Sequence, residues 1–467
     1  MNKKMVLVLL IVATLLIATS TSSFAKQDKG SIGAVVEFVA DGGGVVHRVP
    51  DVALQPFNFA DFPESFEYGI ATWDNDMIDV EKVAGGITGE GVYVAVLDTG
   101  LAANWRDYFP EERIATDLGR GFTDNGVMRD EKTDVYVPNV VESANFIGEH
   151  PHGTHVSSTV IGYSFYGTPV PGVAPNATII PVKVLTTYQG IRDEYGDPAT
   201  FGTDASVAAG INYVGMLAES MPDASFVINM SLGSLSEISD IEAAAIDYAI
   251  SQGVIIVASA GNDGTDGMGS PGSYAPVISV GATGWALDLA TCSGEWVAVI
   301  EGDCYLSSGF WDEDVAEDAS ALTSYVTDFS SRELNSMWPQ ELDVLAPGSW
   351  VVGPYPLGTA QSHVPWWSNG NGYGVAGQYY FVGGTSMSSP HVAGIAALML
   401  QADPSLMQAD VEAILRGTAD AIPFSGTQLV ADPSYGVIAV SWGLDGLNAV
   451  GYGLVQADAA VDAALAP

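Results

Sequence analysis

A carboxylate, a cluster of imidazoles and a serine hydroxyl each stand at the end of a regular segment and beside glycine. In Val94-Ala95-Val96-Leu97-Asp98-Thr99-Gly100 a hydrophobic run leads straight into an acid, and open α/β sheets place their sites at such carboxyl ends. Taken alone, an acid before a turn is most often a cap or turn residue. The segment His150-Pro151-His152-Gly153-Thr154-His155 holds three of the chain's six histidines. Close-spaced imidazoles can share a zinc ion. No Glu or Cys follows at a familiar ligand offset, however, and the zinc-protease helix pattern is missing, so the metal reading is set aside. In Gly383-Gly384-Thr385-Ser386-Met387-Ser388-Ser389-Pro390-His391 a serine sits where a glycine turn meets a helix. The bland role for such a hydroxyl is an N-cap. The sharper one is a nucleophile, because two glycines let backbone come close and the positive helix end favours a developing oxyanion.

The elements that would carry these groups alternate from about residue 92 onward between short β-rich runs and longer helical patterns, as βαβ units around a parallel sheet do. Strands are predicted at 92–97, 178–185, 225–230, 254–259, 277–280 and 342–345. Several are near-continuous hydrophobic runs, as strands buried on both faces require. Apolar residues at helical spacing predict crossover helices over 204–219 and 240–251. The segment Ser386 to Gln401 is apolar nearly all round, which suits a central buried helix. No internal repeat or linker stands out, so one domain from residue 68 to residue 467 is expected. Residues 26–67, with a Gly42-Gly43-Gly44 run and several prolines, are either a short propeptide or an N-terminal arm.

Lys3 and Lys4, an apolar run from Met5 to Ala18 and the small-residue end Ser23-Phe24-Ala25 have the layout of a secretory signal peptide over residues 1–25. Export makes Cys292 and Cys304, the two cysteines, candidates for a disulfide, with two buried thiols as the alternative. The balance of 56 acidic against 15 basic residues gives a net charge of -41. Such a surface disfavours nucleic acid and anionic lipid. It fits either adaptation to high salt or an ordinary acidic exoenzyme.

Together, the three segments resemble the signature blocks of the subtilisin-like serine proteases, the subtilase family, in the chain order Asp, His, Ser that distinguishes it from other serine hydrolases. Further blocks agree: Gly172-Val173-Ala174-Pro175, Val182-Lys183-Val184-Leu185, Ile228-Asn229-Met230-Ser231-Leu232-Gly233, Ala258-Ser259-Ala260-Gly261-Asn262, Leu345-Ala346-Pro347-Gly348 and Gly451-Tyr452-Gly453. The resemblance covers about residues 68 to 461 and implies a three-layer subtilisin-like α/β fold, its mainly parallel central sheet flanked by helices. It implies Ser386 as nucleophile, His152 as general base and acid, Asp98 as the group that orients it, and Asn262 as an oxyanion-hole donor. It also implies that the backbone of Ser231, Leu232 and Gly233 pairs with an extended peptide.

From this follow the remaining expectations: a secreted, extracellular serine endopeptidase acting on protein or peptide substrates, monomeric, with no nucleic-acid partner and no stable membrane association. No cofactor is required for the chemistry. Structural calcium is common in the family, and Asp107 stands where one ligand is expected, although Tyr163 to Pro171 offers no Asp or Asn. His155 and His391 are assigned to packing or hydrogen bonding. Asp263 is either a solvated loop acid or an acid at the mouth of the primary pocket. Met387, next to the nucleophile, is expected to be sensitive to oxidation. Apparent insertions at about 186–203, 285–327, 350–378 and 420–448, with the long stretch between Asp98 and His152, are expected as surface loops. The acidic run Asp312 to Asp318 reads as a solvated face more readily than as a calcium site. Two rival functions stand beside the endopeptidase: a scaffold whose chemistry is lost, and an esterase or peptide ligase using the same acyl-enzyme.

Overall fold

Hydrophobic runs that face apolar neighbours on both sides pair most stably in the middle of a sheet, and here they do. In a computed structural model the described residues are 72–129, 136–165, 167–192, 198–285, 324–356, 379–432 and 436–466, with short strands at Val35–Glu37, Ala298–Ile300, Asp303–Tyr305 and Ser368–Asn369. A nine-stranded sheet is built from β1 (Val92–Asp98), β2 (Arg120–Arg129), β3 (Tyr136–Ser143), β4 (Thr178–Lys183), β5 (Ser225–Met230), β6 (Ile255–Ser259), β7 (Ile278–Trp285), β8 (Ser324–Val326) and β9 (Val344–Pro347). The order is β8-β7-β6-β5-β1-β4-β2-β3, with β9 also beside β7. Only the β2–β3 and β7–β8 pairs are antiparallel. After β4 the chain crosses to the other side of β1 to form β5, so β1 lies at a topological switch point, with Asp98 at its carboxyl end.

The pleat sends alternate residues to opposite layers. Val94 and Val96 join a core with α1 (His152–Ile161), α4 (Thr385–Ala402) and α6 (Ala457–Leu465), while Ala95 and Leu97 join a second core with α2 (Asp204–Ser220) and α3 (Asp240–Ser251). A further helix, α5 (Gln408–Thr418), packs on the first core. The expected three-layer α/β architecture is therefore found, with the predicted strands and crossover helices within a few residues of their places. The strand expected at 277–280 runs on to Trp285, and the one expected at 342–345 starts two residues later.

The insertions depart from expectation. The stretch between Asp98 and His152 contributes β2 and β3 to the sheet, and 186–203 and 420–448 contain the hairpins Thr186–Arg192 with Pro198–Thr203 and Gly426–Asp432 with Gly436–Trp442. Paired strands satisfy their own backbone groups, so an insertion of this length folds on itself rather than trailing as a loop. The run 312–318, Cys292 and most of 285–327 and 350–378 lie outside the described residues.

One buried acid makes a stability prediction. Glu242, in the first turn of α3, is 1% exposed; Ser239 Oγ donates to its Oε2 at 3.3 Å. Burial, reinforced by the Asp204 carboxylate, raises its pKa from 4.5 to about 8. The folded protein thus keeps a proton that the unfolded chain releases, and stability falls as pH rises from about 4.5 to about 8. Glu242→Gln is expected to raise the melting temperature most at pH 8.5 and hardly at pH 4.5. A gain that is the same at both pH values contradicts this.

Candidate active site

Asp98 ends β1 with no exposed surface, and His152 opens α1 at 1% exposure. The Nδ1 of His152 lies 2.9 Å from both carboxylate oxygens of Asp98. A buried carboxylate needs donors, so Nδ1 carries the proton and the neutral ring presents Nε2 as an acceptor. Thr99 N–H adds a second donor to Asp98 Oδ1 at 2.6 Å. The two elements are held in register by Thr99 Oγ1, which accepts Gly153 N–H at 2.9 Å and donates to His150 O at 3.0 Å. Residue 153 must be glycine here: a methyl group on it would fall 2.4 Å from Gly100 O and 3.0 Å from Asp98 Oδ1.

Ser386 is the second residue of α4, a helix buried over nearly its whole length. Pro390 lies inside that helix and has no N–H to bond the carbonyl of Ser386 four residues earlier. Ser231 Oγ replaces it, donating to Ser386 O at 2.7 Å. Ser231 Oγ is fixed in turn by accepting Asn229 Nδ2–H at 3.0 Å, while Ser389 Oγ donates to Asn229 Oδ1 at 2.9 Å. Ser386 Oγ itself donates to Ser231 O at 3.3 Å. The segment Ser231–Gly233 is thereby locked to the backbone of Ser386.

Asn262 accepts Thr385 N–H and Oγ1–H on its Oδ1, each at 2.9 Å, which fixes the amide's orientation. Gly384 has φ +152°, a conformation that excludes other residues, and a methyl group on it would lie 3.7 Å from both Asn262 Nδ2 and Ser386 N. Two donors therefore border one small space beside the serine. Ser231, Leu232, Gly233, Asn262, Asp263 and Ser386 are among the residues lining a single cavity there. Asp98 ends β1, Ser231–Gly233 and Asn262 follow the carboxyl ends of β5 and β6, and His152 and Ser386 stand at the starts of α1 and α4.

The other histidines take structural places. His155 Nε2 donates to Val351 O at 3.1 Å, and complete burial lowers its pKa to about 3, so the ring stays neutral. His391 bonds Met387 O at 2.7 Å through Nδ1 and Asp74 Oδ2 at 3.1 Å through Nε2. Asp107 is exposed and takes the Asn104 amide at 3.2 Å. It belongs to no cluster of three ligating side chains; among the described residues the one such group is Glu341, Asp343 and Glu412. The Arg416 guanidinium ion-pairs with all three. A guanidinium among the carboxylates takes the place of a cation, so this donor set does not fit calcium.

A model of the subtilase family matches residues 89–445. The chain belongs to the subtilase family. This subtilase is 30% identical over 390 residues to an extracellular protease of Xanthomonas campestris pv. campestris, covering 81% of this chain and 52% of that protein. It is 31% identical over 346 residues to the serine protease AprX of Bacillus subtilis, covering 72% and 62%. The chain thus spans about half to two thirds of the length of these relatives. A solved structure of a protease from Pseudoalteromonas arctica superposes with a TM-score of 0.51 at 23% identity, over 86% of this chain and 100% of that one, a likeness of fold.

Asn229, Ser389 and Thr385 are the polar residues of this site that motif reading passed over. The signal was Pro390, since a proline four residues after Ser386 leaves that carbonyl in need of a donor. Ser231→Ala is therefore expected to cost about 1–3 kcal/mol in urea unfolding. Adding Pro390→Ala, which returns the missing N–H, is expected to recover part of the loss. Strict additivity of the two substitutions contradicts the arrangement.

Proposed function

We propose that this chain is a serine endopeptidase that cleaves protein or peptide substrates through an acyl-enzyme on Ser386. The observation that carries the reading is the buried Asp98–His152 bond, which takes up Nδ1 and leaves Nε2 as the ring's other nitrogen to act as a base. As substrate arrives, Ser386 Oγ turns from Ser231 O toward His152 Nε2 and attacks the scissile carbonyl while the imidazole takes its proton. Asp98 stays ionised and stabilises the imidazolium. Asn262 Nδ2 and Ser386 N–H receive the oxyanion, a stabilisation of the transition state more than of the ground state. His152 then returns the proton to the leaving amine, and water repeats the sequence to free the acid. The backbone of Ser231–Gly233 grips the peptide as an added strand, which tolerates varied side chains. Subtilase chemistry needs no cofactor, and no metal enters any step.

Export fits the signal-like segment 1–25, the name of the Xanthomonas relative and the fact that no helix among the described residues is long and apolar enough to cross a membrane. In the same reading residues 26–67 precede a catalytic domain at 68–467 as propeptide or arm.

A fluorophosphonate probe is expected to label the wild type and not Ser386→Ala, with casein hydrolysed by the wild type before labelling and by neither the labelled form nor Ser386→Ala. Labelling without casein hydrolysis favours the esterase reading, and no labelling favours the scaffold. Asn262→Ala is expected to lower kcat by about 10²–10³, the magnitude known for this family's oxyanion donor and adopted here, with KM little changed. Met387, buried beside the nucleophile, is expected to make the enzyme lose activity in peroxide, and Met387→Ala to be spared. Equal inactivation rates contradict that role.

A further inference from the structure

The Asn262 amide can meet an oxyanion at one fixed place only if the backbone that carries it is held still. That backbone follows Gly261, whose φ of +107° lies where glycine turns freely and other residues do not. The peptide units on either side of Asn262 are both held by Ser331, a residue with no exposed surface. Its N–H donates to Gly261 O at 3.0 Å, and its Oγ accepts Asp263 N–H at 3.0 Å. One residue thus clasps Asn262 before and after its Cα. Gly264 N–H to Phe329 O at 2.9 Å and Arg332 N–H to Gly264 O at 3.0 Å continue the pairing. The clasping segment is anchored on both sides. Ser330 Oγ accepts Ala282 N–H from β7 at 2.9 Å, while the Arg332 guanidinium donates to Asp445 at 3.2 Å and Glu333 N–H to Asn448 O at 3.0 Å. Ser331 is not among the residues lining the cavity in front of Ser386, whereas Gly261, Asn262 and Asp263 are. Its route to the reaction runs through Asn262.

We propose that Ser331 is a positioning residue of the oxyanion site, holding the Asn262 backbone so that its amide is aimed before substrate arrives. This deepens the endopeptidase reading and rests on it. Thr385 fixes the amide at Oδ1, and Ser331 fixes the Cα, so Nδ2 is left with one direction. A donor set in advance costs no reorganisation when negative charge develops on the substrate oxygen. Without the Ser331 hydroxyl, the peptide unit after Asn262 loses its acceptor and can rotate, carrying Nδ2 off its aim. The interaction that suffers is made in the transition state more than in the ground state, so the loss falls on kcat rather than KM. A serine that merely packed would affect stability without singling out Asn262.

The test measures kcat and KM on a peptide p-nitroanilide for the wild type, Ser331→Ala, Asn262→Ala and the double variant. Ser331→Ala is expected to lower kcat about tenfold with KM within about twofold, because a misaimed donor forfeits part of what its removal costs. In the Asn262→Ala background the same substitution is expected to change kcat by less than about twofold, the coupling that a shared role requires. Ser331→Cys keeps a weak acceptor in nearly the same shape. Its kcat is expected to fall below that of the wild type, and it serves as the reading if Ser331→Ala does not fold. A kcat untouched by either substitution, or an equal loss with and without the Asn262 side chain, overturns the proposal and leaves Ser331 a packing residue. A wild type that leaves both the anilide and casein intact overturns the endopeptidase reading and this inference with it. An active wild type without the coupling overturns the inference alone.

Discussion

The carboxylate of Asp98 has no exposed surface, and the geometry of the site follows from that constraint. An ionised group taken out of water must be met by donors or it neutralises. Asp98 is met by the His152 ring and by the N–H of Thr99, so the end of β1 and the start of α1 cannot move apart without stranding a charge. Position does the rest. β1 is the strand about which the sheet's order reverses, which opens a crevice at its carboxyl end where side chains from β5, α1 and α4 can meet.

The serine is brought to that crevice by a helix with no free surface to slide on. At its start, Pro390 removes one backbone donor and the Ser231 hydroxyl supplies another, tying the residue after β5 to the backbone of Ser386. At its far end, Gln401 Oε1 accepts the N–H groups of Thr88, Gly89 and Glu90 at 2.7, 2.7 and 3.1 Å, and its Nε2 donates to Gly86 O at 2.8 Å. Those residues lead directly into β1. The helix that carries Ser386 is therefore fastened at its start to the residue after β5 and at its far end to the segment entering β1, an arrangement that fixes distances between groups far apart in sequence.

Much of this was legible in the chain. Strands buried on both faces announce themselves as apolar runs, and the three reactive residues each stood beside glycine. Gly153 and Gly384 turn out to be required by close approach to Asp98 and by a positive φ. The hairpins in the insertions were not legible, because stretches beyond the family's blocks were expected as loops, although each of their strands pairs with one only a few residues further on. Nor was the hydroxyl network, since Asn229, Ser231 and Ser389 look like ordinary polar residues until the fold places them together. Calcium at Asp107 remains a family expectation; the separate acid cluster of Glu341, Asp343 and Glu412 is occupied by the Arg416 guanidinium.

A crystal structure of the protein with a peptidyl boronate is the most direct measurement. Boron is expected on Ser386 Oγ, one boronate oxygen within hydrogen-bond reach of both Asn262 Nδ2 and Ser386 N, and the peptide paired with Ser231–Gly233. A boronate bound through another residue, or an oxygen turned away from Asn262 into solvent, contradicts the assignment of these four groups to one catalytic centre.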